Sequence, residues 1–124
     1  RGEDYITPEG ERIPNGRLTR PASTPKKYAY CSDTAYYEKI IPIIEGVDLL
    51  YHEATFASED AARAKETFHS TARQAAEIAR KANVNRLVIG HYSARYEELH
   101  TLKKEADEIF PGTILADEGM TLTV

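Results

Sequence analysis

Apolar and polar positions change their period several times along this chain, and each change marks an element. Tyr28 to Cys31, Val47 to Tyr51 and Arg86 to Ile89 read as strands, each followed by a polar turn. Their short apolar runs suit a sheet buried on both faces. Between them the spacing turns helical. Tyr36 to Glu45 carries Ile40, Ile43 and Ile44 on one face, with Pro42 expected to shorten or kink it. Glu59 to Thr67 is Ala-rich and charged. A helix capped by Ser70 or Thr71 runs to Ala82, with Ala72, Ala75, Ala76, Ala79 and Ala82 at helical spacing for close packing. Tyr96 to Phe110 is the clearest amphipathic helix, its face drawn by Tyr96, Leu99, Leu102, Ala106 and Ile109, and Pro111-Gly112 ends it. Thr113 to Ala116 and Met120 to Val124 are expected to be closing strands.

This alternation predicts an α/β fold, a mostly parallel sheet with flanking helices joined by right-handed βαβ crossovers. Residues 1–26 are different. They hold four of the six prolines, Pro8, Pro14, Pro21 and Pro25, and read as an irregular arm. A hairpin of Tyr5-Ile6 with Glu11 to Ile13 is expected within it. Residues 27–124 form the core.

Composition narrows the picture. The 124 residues are enough for one modest domain, and 41% hydrophobic with 29% charged residues fits a globular protein. No apolar run approaches the ~20 residues of a membrane span. The lone Cys31 excludes an internal disulfide framework and fits a reducing, cytoplasmic compartment. A net charge of -4 argues against gripping nucleic acid by charge alone within these residues. The chain starts at Arg1 rather than Met, which reads as a fragment or a processed piece.

The candidate chemistry lies in the turns that follow the strands, where parallel sheets gather their sites. Asp33, after Tyr-Ala-Tyr-Cys-Ser, is either a cation ligand or a helix N-cap. His91, after Gly90, is either a metal ligand or a hydrogen-bonded loop residue; Gly90 lets the backbone bend and approach closely. His52 and Glu53 follow a buried strand and need partners there, in a site or as loop ties. His69 precedes a helix N-terminus that favours an anion, beside Ser70 and Thr71, which fit plain capping. His100 and the run Lys103 to Glu108 read as solvated surface, and Cys31 as a small hydrophobe.

Taken together these residues are far more specific. Tyr30-Cys31-Ser32-Asp33-Thr34, His52-Glu53-Ala54-Thr55-Phe56, His69-Ser70-Thr71 with Gln74-Ala75-Ala76, and Gly90-His91-Tyr92-Ser93-Ala94-Arg95-Tyr96 occur in this order. The set resembles the C-terminal part of the ribonuclease Z family, tRNA 3′-processing endonucleases of the metallo-β-lactamase superfamily. The resemblance spans nearly all of residues 27–124. It implies the C-terminal half of an αββα sandwich, with Asp33 bridging two zinc ions and His91 binding one of them. It makes His69 the general acid for the leaving 3′ oxygen and Glu53 its charged partner. Ser70 and Arg95 become substrate contacts, and His52 and Thr34 supports. The implied partner is precursor tRNA, and the sheet face that a lone half leaves open predicts a homodimer or pairing with the missing half.

The family's hallmark His-x-His-x-Asp-His cluster is absent from these 124 residues, as is its basic tRNA-gripping arm. Asp33 and His91 alone are too few for tight zinc binding. The resemblance therefore implies a parent endonuclease, and an inactive isolated chain with one apolar sheet face uncovered. The rival readings are a small-molecule hydrolase of the same superfamily and a non-catalytic domain that binds a partner through its open sheet.

Overall fold

The structure, a computed structural model, describes residues 2–124. In the arm, β1 (Tyr5–Ile6) pairs antiparallel with β2 (Arg12–Ile13), Tyr5 opposite Ile13. Asp4 ties the hairpin down. One carboxylate oxygen accepts from Arg12 Nε at 2.6 Å and the other from the Asn15 N–H at 2.8 Å, at the start of the short helix α1 (Asn15–Leu18).

The sheet has four strands: β3 (Tyr28–Cys31), β4 (Leu49–Glu53), β5 (Leu87–Gly90) and β6 (Ile114–Leu115). All are parallel, and their order in space is their order in sequence. Leu50 lies between Ala29 and Leu87, and His52 between Cys31 and Ile89. Side chains alternate along each strand. Leu50, Leu87 and Ile89 therefore point to one face, where α4 (Ala72–Lys81) and α5 (His100–Asp107) cover them. The five alanines expected on α4 are all fully buried there, and their small side chains let the helix lie close on β4 and β5. Each buried Leu or Ile in this layer contributes about 2 kcal/mol.

The other face carries Tyr28, Leu49, Tyr51 and Val88, with Tyr30 stacked on Tyr51 at 4.7 Å between ring centroids. Tyr28 and Tyr30 are exposed. Met120, Leu122 and Val124 lie against part of this face and enclose a groove of about 320 Å³. The closing strand expected over Met120 to Val124 does not form. Gly119, at φ +77°, turns the chain off the sheet edge and onto the open face.

Two helices are shorter than expected. Tyr36 to Glu45 yields only α2 (Ile41–Ile44) after a 3-10 turn at Glu38–Ile40. Pro42 has no N–H to give and fits only a first helical turn, so α2 begins beside it. Gly46, at φ +65°, then ends the helix. The amphipathic helix begins at His100 rather than Tyr96. The Ala57 N–H donates to the Tyr96 hydroxyl at 2.8 Å, and that hydroxyl donates to Asp60, so residues 91–99 stay in a loop over the sheet edge. Between β4 and α4, a 3-10 turn at Ser58–Asp60 leads into α3 (Ala61–Glu66). Among the described residues no helix is long and apolar enough to cross a membrane.

Candidate metal centre at the carboxyl edge of the sheet

Three chain turns meet where β3, β4 and β5 end. Asp33 lies two residues past β3, Glu53 closes β4, and His91 directly follows β5. The loop before α4 brings in His69. Asp33 and His91 both have left-handed backbone, at φ +49° and +60°. Asp and His tolerate that region better than bulkier side chains, at a modest strain. Asp33 caps no helix, because the next element is the 3-10 turn at Glu38 with Tyr37 in the cap position. The bend expected at Gly90 occurs one residue later, at His91. Gly90 is needed for space: a Cβ there would run into the Tyr51 hydroxyl and ring.

Glu53 organises this edge. It is fully buried, and both carboxylate oxygens are filled. One accepts from the Thr34 N–H at 2.8 Å and faces His69 Nδ1 at 2.8 Å. The other accepts from the Ser70 N–H at 3.0 Å and the Thr55 hydroxyl at 2.7 Å. Burial pushes the Glu53 carboxyl up. The bonds from Thr55, His69, Ser70 and Thr34 outweigh it and hold the group below the usual carboxylate range.

His91 lies on the solvent side of this hub. Its Nδ1 meets the Thr55 hydroxyl at 2.8 Å, and its Nε2 faces Asp33 Oδ1 at 3.2 Å. His69 packs beside it, ring centroids 5.2 Å apart. Ligand atoms of Asp33, His69 and His91 all lie within 4.8 Å of one another. The 3.2 Å Asp33–His91 separation suits one ion shared by an oxygen and an imidazole nitrogen, since bonds of ~2.0–2.1 Å to tetrahedral zinc place such ligand atoms roughly 3.3 Å apart. Asp33 and His91 therefore fit a metal ion, and His69 completes a three-residue group that the sequence reading, counting two ligands, did not contain.

The remaining candidates divide. Thr34 gives its N–H to Glu53 and its hydroxyl to the Ala35 carbonyl. His52 is buried on the helix side of the sheet, with Nδ1 2.7 Å from the Glu53 carbonyl oxygen and no partner at Nε2 among the described residues. Burial pushes its pKa down and keeps it neutral. Ser70, expected to meet substrate, is fully buried. Its N–H goes to Glu53 and its hydroxyl to the Thr34 carbonyl at 2.7 Å, so both polar groups are spent inside the chain. The expected anion site before α4 is also occupied. Thr71 and Gln74 form a reciprocal capping box, and Ala72 N–H bonds the Phe56 carbonyl. Arg95 pairs with Asp60 at 2.7 Å and lies over the Phe56 ring. Tyr92 donates to the Ile89 carbonyl at 2.6 Å, and burial pushes its phenol up to about 12, too high for acid–base work near neutrality. Burial likewise pushes the Cys31 thiol up, consistent with a packing role. The sequence reading missed Thr55, which links Glu53 to His91. Its position two residues after a strand-terminal Glu was the available signal.

The model of the β-lactamase superfamily domain matches residues 17–92, more than half of the chain. The chain belongs to the β-lactamase superfamily. Among relatives of this superfamily chain, a ribonuclease Z of Parabacteroides distasonis is 79% identical over 124 residues, covering 100% of this chain and 41% of the relative. The chain thus spans about two fifths of the length of the curated relatives it matches. Among solved structures, the metallo-β-lactamase fold protein YhfI from Bacillus subtilis superposes with a TM-score of 0.67 at 28% identity, over 73% of this chain and 37% of that one. The short form of human tRNase Z superposes with a TM-score of 0.52 at 32% identity, over 67% of this chain and 27% of that one. The parallel α/β layer of this superfamily chain is the metallo-β-lactamase fold expected from the sequence.

Proposed function

We propose that this chain is the C-terminal part of a zinc-dependent ribonuclease Z, a phosphodiesterase that removes the 3′ trailer of precursor tRNA. The observation that carries the reading is the convergence of Asp33, His69 and His91 on one edge, with Glu53 fixed behind them. The ribonuclease Z relatives align across this whole segment. In this reading residues 27–124 are the C-terminal half of an αββα domain, and residues 1–26 are an arm leading into it.

Asp33 and His91 would hold zinc, with two ions in the complete site and the other ligands supplied by the rest of the parent. Bound there, zinc supplies Lewis-acid neutralisation of charge on the phosphate. Glu53 accepts from His69 Nδ1, which leaves the ring's other nitrogen, Nε2, free. His69, in its protonated form, is then placed to donate a proton to a leaving 3′ oxygen. Thr34 and Ser70 fix Glu53 through their N–H groups, and His52 supports the end of β4. Arg95 contacts RNA phosphate only by leaving Asp60. The tyrosine face of the sheet is covered by the rest of the parent, which acts as a homodimer in the cytoplasm. The half-buried free thiol of Cys31 is consistent with that compartment.

Cleavage of a precursor tRNA with a 3′ trailer, by the full-length parent loaded with zinc, tests the reading. A single cut after the discriminator base, lost in Asp33→Ala and His69→Ala, is the expected result. A folded, zinc-loaded parent that leaves the precursor intact sinks the tRNA assignment and promotes a small-molecule hydrolase.

A further inference from the structure

We infer that Thr55 is a positioning residue that sets the tautomer of His91, so that Glu53 controls the ring nitrogens of both histidines at the site. The Glu53 oxygens face two backbone N–H groups, from Thr34 and Ser70, which can only donate. Both oxygens are therefore acceptors, and the Thr55 hydroxyl, 2.7 Å from one of them, spends its single proton there. Toward His91 that hydroxyl has only lone pairs left. Nδ1 of His91, 2.8 Å away, must then carry the ring proton and donate it. In the neutral ring Nε2 then bears the lone pair, facing Asp33 Oδ1 at 3.2 Å.

Two acceptors facing each other at that distance repel unless a cation lies between them. On the reading of Asp33 and His91 as a metal pair, Thr55 thus holds His91 in the form that accepts a metal at Nε2. His69 is governed in the same way without an intermediary, because its Nδ1 meets the other Glu53 oxygen directly at 2.8 Å. A single buried carboxylate reaches one imidazole in one step and the second in two. Neighbours of a metal-binding His that fix its far nitrogen commonly change metal affinity ten- to hundredfold.

The chain has four histidines and a mass of 13.9 kDa, so nitrogen-15 NMR resolves each ring. In the metal-free wild-type chain with its rings neutral, His91 and His69 are expected predominantly as Nδ1–H forms. Thr55→Ser keeps both. Thr55→Val removes the relay. His91 then moves toward the Nε2–H form that predominates in free imidazole, while His69 stays Nδ1–H as the internal control. In the full-length parent, Thr55→Val is expected to weaken Zn²⁺ binding at least tenfold and Thr55→Ser by less than about threefold. A wild-type His91 in the Nε2–H form overturns the inference without any variant, as does an unchanged His91 in folded Thr55→Val. Unaltered Zn²⁺ affinity in Thr55→Val overturns its consequence for the metal. A parent with no Zn²⁺ affinity at all removes the metal reading of Asp33 and His91 and leaves the tautomer result standing on its own.

Discussion

Glu53 and Asp33 are carboxylates at the ends of adjacent strands, held under opposite conditions. Glu53 is sealed from water, with donors from Thr34, Thr55, His69 and Ser70 around it. Asp33 has 74% of its side chain exposed and faces a single imidazole. The backbone differs too, since Glu53 continues a strand while Asp33 sits in left-handed backbone. A buried carboxylate with every lone pair engaged knits three loops together. An exposed one held against another acceptor is left ready for a ligand from outside. Stability resides in the first and reactivity in the second, at the end of the neighbouring strand.

The largest way to test that contrast is to remove the hub. Glu53→Ala strands buried donors from three loops and is expected to cost at least ~3 kcal/mol in urea unfolding, enough to threaten the fold. Asp33→Ala in the same assay is expected within about 0.5 kcal/mol of wild type. Comparable losses for the two would erase the distinction.

Acid sharpens it next. His52 has its folded pKa depressed below the ordinary 6.5 by burial, so the unfolded chain takes up a proton that the folded one refuses. Stability is therefore full above about pH 6.5 and falls as pH drops below it. Glu53 is depressed below the ordinary 4.5, and its contribution is lost as pH falls from there through the folded value. A denaturation series over pH should show an acid limb starting near 6.5 and steepening below 4.5. His52→Phe should flatten the first part alone; a limb that survives that change assigns it elsewhere.

A smaller effect is expected at the cap of α4. Thr71→Ala breaks the box with Gln74 and should cost about 1 kcal/mol, while Ser70→Ala should cost more because it strands the Thr34 carbonyl beside Glu53. The smallest change has the opposite sign. Asp33→Gly relieves left-handed backbone and should raise stability by several tenths of a kcal/mol while removing the proposed metal ligand. Loss of stability there would mean that Asp33, like Glu53, holds the fold together.

Much of this was legible in the sequence. The first three strands of the sheet and the Ala-rich helix announce themselves because their neighbours in sequence supply the pattern. The strings after the strands contain the residues that the structure brings to one edge. What escaped depended on distant partners. Tyr96 has helical spacing with Leu99 and Leu102, yet Asp60 and Ala57 capture its hydroxyl and hold it in a loop. Ser70 looks like a ligand-facing serine until Glu53 and Thr34 claim it. Asp33 resembles a helix cap because Asp is a favoured cap residue, but its turn leads into extended chain. Thr55 carries only the faint signal of its place two residues after Glu53; its role takes shape once Glu53 and His91 are set on either side of it.

The strand order has a practical consequence. The four strands are consecutive in sequence and adjacent in space, with no foreign strand threaded among them. Separating this layer from whatever covers its tyrosines would break none of the ladder within it. Every rung joins segments that follow one another along the chain, so the layer can assemble from one edge to the other without waiting for a distant strand.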